Sequence, residues 1–358
     1  MKIVEVMPFW GLGGAEIMCE NLIYELKELG HNVVVISLYD TKTAITQRFE
    51  EAGIDIRYLS KKRGFDLSMY KKLKEIFVHE HPDVIHTHIH TTQYVFPITK
   101  KLKIKTIHTI HSIALKEAPR ITRFFNKYYF KHFYAIPVAL SDIVKQSVID
   151  VYKLAKDSVP VVFNGINLSK CKPKNGYHLD EKFKIVHVAS YQEVKNHIGL
   201  IDAFEKFCSK YPCAELHLIG DGQRRSIIEQ LVRDKNLEEC VIFHGFQSCV
   251  HDFLQQMDLF TLPSLYEGIP MSILEAMGTG LPIVATRVGG IPNLLTNDES
   301  AILTAVDSDE ISLAFEKLYH SAELRERLGK TALARSKDFS SKEMARKYLE
   351  IYERDAKW

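Results

Sequence analysis

The sequence has no long hydrophobic run. Its longest apolar stretches, such as Val33–Ile36 and Ala135–Leu140, fall far short of the roughly 20 residues that a membrane helix needs, so no crossing of a bilayer is expected. Cysteine is sparse. Cys19, Cys171, Cys208, Cys213, Cys240 and Cys249 are scattered without a Cys-x-x-Cys pair, which argues against zinc or disulfide frameworks and for buried thiols in a reducing compartment. An excess of one charge is also missing: 47 Lys and Arg against 45 Asp and Glu leave a formal +2, too little to draw nucleic acid by bulk electrostatics. Residues Met1–Gly14 hold one Lys, then Glu5 and Pro8, and no small-residue cleavage pattern, so they do not read as an export signal and a cytoplasmic location is expected. No internal repeat or low-complexity tract is found. With 46% hydrophobic and 26% charged residues, the composition is that of a globular chain rather than a disordered, collagen-like or coiled-coil one.

What is present is alternation. At 358 residues the chain exceeds the ~150 of a typical domain more than twofold, so two domains are expected. Strand-like runs alternate with helix-length segments, which requires parallel strands with helical crossovers and a sheet covered on both faces. In the first half the strand candidates are Lys2–Met7, Asn32–Leu38, Asp55–Leu59, Asp83–His88, Ile104–Ile110, Ala135–Leu140 and Val159–Val162. In the second they are Ile185–Ala189, Glu215–Ile219, Val241–Phe243, Leu259–Leu262, Ile283–Ala285 and Ala301–Thr304. Ile17, Met18, Leu22, Leu26 and Leu29 give Ala15–Leu29 a helical period, and Gly30 stands where a helix C-terminus expects it. Asn164–Lys184, with two Asn-Gly pairs and a Lys-Pro-Lys, reads as a linker. The expected fold class is therefore α/β: two Rossmann-like, doubly wound parallel-sheet domains over 1–168 and 176–341. After a break at Asp338–Ser341, a last helix, 342–358, is expected to pack back on the first domain. Ligands of such sheets bind beyond the carboxyl ends of the strands, so two lobes are expected to face each other across a functional cleft.

Several local patterns carry chemistry. Gly11-Leu12-Gly13-Gly14-Ala15-Glu16 follows the first strand and opens a helix, where free N–H groups favour an anion; it serves equally as a tight turn with no ligand. In Pro263–Gly278 two carboxylates stand eight residues apart, Glu267 in the loop before a helix whose first turn takes Pro270, and Glu275 inside it. The alternative is a capping box of Ser272 and Glu275, with Glu267 a solvated acid. His86, His88 and His90 end one strand and His108 and His111 the next, expected at the cleft edge. Alternate strand residues share a face, so the His-x-His-x-His run needs no metal. Asp307-Ser308-Asp309 has metal-ligand spacing but starts a late helix, where acids cap. From Lys100 to Lys131, nine Lys and Arg meet one acid, Glu117. Within that stretch, 119–133 mixes bases with aromatics, as in helices that lie on anionic membranes; a core helix with solvated lysines is the other reading.

On these residues the second half resembles the retaining glycosyltransferases of family 4, which have the two-lobed GT-B fold and use nucleotide-sugar donors. The Glu-x7-Glu stretch, Glu267 to Glu275, is their hallmark. The resemblance continues in family order through Gly13-Gly14-Ala15-Glu16, Asn164-Gly165-Ile166, Lys195-Asn196, Gly220-Asp221-Gly222, His244-Gly245 and Gly289-Gly290, across nearly the whole chain. It implies that Glu267 contacts donor-sugar hydroxyls near the reacting carbon and that Glu275 holds the ribose through its 2′- and 3′-hydroxyls. Gly268, Ile269 and Pro270 would bring the loop backbone and the next helix's positive end to the diphosphate, with no N–H from the proline. Lys195 matches the lysine that neutralises the leaving phosphate in place of a metal, so neither metal nor other cofactor is implied; a solvated surface lysine is the alternative. His111 matches the histidine whose side chain or backbone contacts the donor sugar, where an imidazole can donate a hydrogen bond; a structural histidine is the alternative. Gly13, Gly14, Gly222, His244 and Gly245 are carried over as donor-binding positions.

Two positions depart from the pattern. Ser190–Lys195 lacks the Arg that many relatives place before that lysine, so either Arg224 or Arg225 supplies the second cation or affinity and rate are lower. Asn293 stands where a Glu commonly follows the Gly-Gly-x-Pro turn. The implied activity is transfer from a nucleoside-diphosphate sugar, UDP-sugar favoured, to a saccharide or polyprenyl-linked saccharide acceptor. Its setting is bacterial cell-surface glycan synthesis in the cytoplasm, at the inner face of the membrane if 119–133 meets lipid. Two other classes stay open: an NAD-dependent oxidoreductase using the Gly11–Gly14 turn with Asp40, and a nucleotide-sugar-binding protein that has lost activity.

Overall fold

The structure is a computed structural model that describes residues 1–354 apart from Leu12 and Ser248. Leu12 of the glycine turn and residues 355–358 of the expected last helix thus lie outside the described residues. The chain divides into two compact units, one made of Met1–Gly165 with the stretch beginning at Ser341, the other of Ile166–Ser340.

The first unit is built on six parallel strands: β1 (Lys2–Met7), β2 (Asn32–Ser37), β3 (Asp55–Tyr58), β4 (Val84–His88), β5 (Lys105–Ile110) and β6 (Ile136–Ala139), in the order β3-β2-β1-β4-β5-β6. The second is built on β7 (Phe183–Val188), β8 (Ala214–Ile219), β9 (Val241–Gly245), β10 (Leu259–Leu262), β11 (Ile283–Thr286) and β12 (Ile302–Thr304), ordered β12-β11-β10-β7-β8-β9. Strands such as β2 and β10 are largely apolar, as suits a sheet covered on both faces; Val33–Ile36 of β2 and all of β10 are buried. In each sheet the first strand lies beside the fourth, so the winding reverses between β1 and β4 and between β7 and β10. In doubly wound sheets that reversal is where ligands bind.

The expected strand Val159–Val162 is only a bridge from Val161 to Ala139. Ala139 donates to the Pro160 carbonyl and Val162 donates to Ala139, but Pro160 has no N–H with which to extend the ladder. The segment read as a linker is fastened to the second unit from Ile166 onward. Ile166 donates to the Phe339 carbonyl at 3.0 Å, the Tyr177 hydroxyl donates to Gly280 O at 2.7 Å, and the Arg325 guanidinium donates twice to Tyr177 O. These anchors run from side chain to backbone and leave no periodic trace in the sequence; the last two residues of the segment already belong to β7.

After a single 3-10 turn at Lys337–Phe339, the closing helix Ser341–Glu353 returns to the first unit. It packs on the helix Gly14–Glu28, with the Ser341 hydroxyl donating to Glu25 at 2.5 Å and Tyr348, Ile351 and Tyr352 buried. The basic helix Arg120–Lys131 buries Thr122, Asn126 and Phe130 and turns outward Ile121 and Phe124, each 74% exposed, together with Phe125 and Tyr128.

Candidate functional site

In the second unit the loops beyond β7 and β10 are laced together. Asn196 adopts a left-handed conformation (φ 55°), caps the helix His197–Cys208 through its side-chain oxygen, and donates its amide to the Pro263 carbonyl at 3.0 Å. Leu265 donates to the Val194 carbonyl at 2.8 Å. These bonds set Lys195 against Glu267: the ammonium lies 2.7 Å from Oε1, and the Ser264 hydroxyl donates to that same oxygen at 2.6 Å. The Glu267 side chain is 6% exposed and the Lys195 side chain 21%, so the carboxylate is sheltered while the ammonium keeps an outer side. Thr286 fixes the partner by donating its hydroxyl to the Ser264 carbonyl at 2.6 Å.

Gly289 and Gly290 clamp this loop from the β11 side. Gly290 donates to the Glu267 carbonyl at 3.0 Å, and a Cβ at Gly289 or Gly290 would collide with the carbonyl of Glu267 or Gly268 respectively. Gly289 also has φ 53°, a conformation that side-chain-bearing residues seldom adopt. The helix that follows is Met271–Thr279, with Pro270 as its N-cap and no side-chain cap bond, so Ser272 and Glu275 both lie inside the helix and form no capping box. An uncapped helix N-terminus beside an ammonium group suits an anion. Glu275 is only partly exposed, and burial pushes its carboxyl up to about 7.

The other second-unit positions carry firm bonds of their own. Gly220 (φ 137°) and Gly222 (φ 157°) allow the loop to press on Ala189 and Tyr191, and Gly220 donates to the Gly245 carbonyl at 2.8 Å. His244 Nε2 lies 2.9 Å from His217 Nδ1, so this ring is oriented by another histidine of its own sheet. Arg224 pairs with Glu193 at 2.9 Å, two residues before Lys195, and Arg225 with Glu229 at 2.8 Å. Asp307 accepts from the Asp309 and Glu310 amides as a helix cap, the capping role expected of it.

In the first unit Gly13 is the N-cap of the helix Gly14–Glu28. The chain's own Glu16 reaches back over it: a Cβ on Gly13 would meet Glu16 Oε2 at 2.6 Å, and burial raises that carboxyl although the Glu16 amide opposes the shift. The acid at this helix start is therefore built in. Asp40 accepts the Ser60 amide at 2.7 Å.

His86, His88 and His108 are placed differently from expectation, in the interior, whereas His90 is exposed and His111 partly exposed. The register sets Glu5 beside His86 and His88 beside Thr109, on one face of the sheet at the reversal between β1 and β4. His86, His88 and Glu5 are wholly buried rather than at an edge. Glu5 Oε1 is 3.2 Å from His86 Nδ1 and Oε2 is 2.8 Å from His88 Nε2. Tyr352 of the closing helix bonds His86 at 2.7 Å, and Thr109 links His86 to Tyr348 at 2.8 and 2.7 Å. Burial alone would raise the Glu5 carboxyl, but the two imidazoles outweigh it and hold it at about 2. His111, just beyond β5 and partly exposed, has Nε2 3.1 Å from His88 Nδ1. Ser264, Thr286, Glu5, Tyr348 and Tyr352 were not among the sequence-derived site residues. Only Glu5, an acid set within the apolar run Ile3–Met7 of β1, carries a signal of its own.

Residues 12–170 match the family model "Glycosyltransferase Family 4" and residues 172–335 the model "Glycosyl transferases group 1". N-acetyl-alpha-D-glucosaminyl L-malate synthase of Bacillus anthracis is 26% identical, over 98% of this chain and 97% of that protein. UDP-Gal:alpha-D-GlcNAc-diphosphoundecaprenol alpha-1,3-galactosyltransferase of Escherichia coli is 27% identical, over 66% of this chain and 65% of its own length. Among solved structures, Anabaena HepE in complex with UDP and glucose has a TM-score of 0.83 at 19% identity, covering 98% of this chain and 99% of that one. With its two sheets in the same winding and both halves matched to transferase models, the chain is a glycosyltransferase of the family 4 type with the GT-B fold.

Proposed function

We propose that the chain transfers a sugar, with retention at the anomeric carbon and without a bound metal, from a nucleoside-diphosphate sugar to a saccharide or polyprenyl-linked saccharide acceptor. The setting is cell-surface glycan synthesis on the cytoplasmic side of a bacterial membrane. A UDP-sugar is favoured because HepE was solved with UDP and the Escherichia coli relative is named for a UDP-sugar donor and a diphosphoundecaprenol acceptor. The observation that carries the reading is the Lys195 ammonium on Glu267 at the β7–β10 reversal, beside an uncapped helix end.

An ammonium has three donors, of which Glu267 engages one, so Lys195 can serve a leaving diphosphate without giving up its partner. The amides that open the helix Met271–Thr279 share the charge that grows as the glycosidic bond breaks. The acceptor oxygen attacks the anomeric carbon on the face from which the diphosphate departs. The leaving phosphate oxygen takes the acceptor's proton, so no protein nucleophile is required. Glu267 positions and stabilises the sugar, Glu275 accepts from the ribose diol, and His111 meets a sugar hydroxyl. Gly13, Gly14, Gly222, His244, Gly245, Gly268 and Ile269 shape the donor site, and Arg224 is the candidate second cation.

Calorimetric titration with UDP, GDP and NAD, followed by transfer assays with and without EDTA, tests this. Saturable binding of one diphosphate, none of NAD, and turnover that survives EDTA are expected; loss of turnover in EDTA would overturn the metal-free mechanism. The exposed apolar and basic face of the helix Arg120–Lys131 is assigned to an anionic lipid surface. Each lysine at such a surface is worth about 1 kcal/mol, so replacing Lys127 and Lys131 by alanine should weaken liposome binding by about tenfold or more. Unchanged binding would remove that assignment.

A further inference from the structure

A line of hydrogen bonds connects Glu5 to His111 through His88. Glu5 is ionised, and a carboxylate only accepts, so the bond at 2.8 Å places a proton on His88 Nε2. His88 carries no second proton at neutral pH. Burial and the neighbouring His86 hold it down at about 4, against the pull of Glu5. Its Nδ1 is therefore a bare lone pair, and it lies 3.1 Å from His111 Nε2. One proton must sit between those nitrogens, and only His111 can supply it. Burial keeps His111 neutral as well, well below the usual imidazole range, so the proton on Nε2 is its only one.

We propose that Glu5 and His88 are positioning residues that lock His111 in the Nε2-protonated tautomer, so that Nδ1 accepts a hydrogen bond from a hydroxyl of the bound sugar. This rests on the assignment of His111 to a sugar hydroxyl and reverses the direction expected from the sequence, in which the ring donates. The order of atoms is that by which a carboxylate orients a functional imidazole through the ring's far nitrogen, with one further histidine inserted. His111 is the partly exposed end of this line; Glu5 and His88 are fully buried and shielded from exchange with solvent.

The test is a long-range proton–nitrogen NMR spectrum of the 15N-labelled full chain without ligand at neutral pH, with His111→Asn identifying the signals. His111 should show a protonated Nε2 and a bare Nδ1. A protonated Nδ1, an imidazolium, or a stoichiometric transition metal on Cys19, His88 and His111, whose Sγ and ring nitrogens lie within 4.8 Å of one another, would overturn the proposal. In Glu5→Gln the amide can donate as well as accept, so the His111 signals should average between tautomers. The kcat/KM for UDP-glucose hydrolysis should then fall about tenfold, the scale of one hydrogen bond, with the Kd for UDP unchanged. A wild-type His111 pattern retained in that variant would also overturn it; if the variant does not fold, the wild-type spectrum still decides. Because that spectrum needs no substrate, failure to bind UDP would count against the transfer reading alone.

Discussion

The two sheets are wound alike, yet the carboxylates at their reversals are held in opposite ways. Glu5 is sealed in the first unit between two imidazoles and covered by tyrosines of the closing helix. Glu267, in the second, shares its charge with an ammonium that keeps an exposed side and with a hydroxyl steadied from the next strand. Topology thus chooses the place, while the counter-group decides the use. Imidazoles sealed in a closed interior are left to bond the carboxylate and one another. A lysine at the surface of a loop can turn to a newly arrived anion.

The largest expected effect breaks the open half of that contrast. Lys195→Ala or Glu267→Ala should each lower transfer roughly 10²–10³-fold, with circular dichroism unchanged. Because the two side chains are bonded to each other through Glu267 Oε1, their losses should not add fully in the double variant. Normal turnover in either single variant would remove the assignment.

A smaller effect concerns pH. Glu275 stands at about 7, and only its ionised form accepts from both ribose hydroxyls. UDP affinity should therefore be full above pH 7 and weaken as pH falls below it, approaching about tenfold per pH unit, while Glu275→Gln flattens the profile. A flat wild-type profile in calorimetry would detach Glu275 from the ribose. The smallest effect sharpens the closed half: Tyr352→Phe deletes one buried bond to His86 and should cost about 1 kcal/mol of stability in urea melts. No loss would show that the hydroxyl is dispensable.

Much of the fold was legible because a parallel sheet covered on both sides imposes continuous apolar runs; Asn32–Leu38 was read one residue longer than β2. Val159–Val162 had the same composition, but a single imide nitrogen decided the outcome. The site was legible residue by residue. Lys195 and Glu267 were each identified, but their pairing spans 72 positions and depends on the Asn196 turn. Ser264 looks like any loop serine until the backbone folds it under Glu267. The buried histidines were assigned to an edge because nothing local announces that tyrosines more than 230 residues away will cover them.

The return of the closing helix has a consequence for the order of synthesis. Glu5 leaves the ribosome more than 340 residues ahead of Tyr348 and Tyr352, which complete its surroundings. The earlier-born half is thus the later one to be finished: throughout translation of the second unit, an ionised acid and two histidines await their roof.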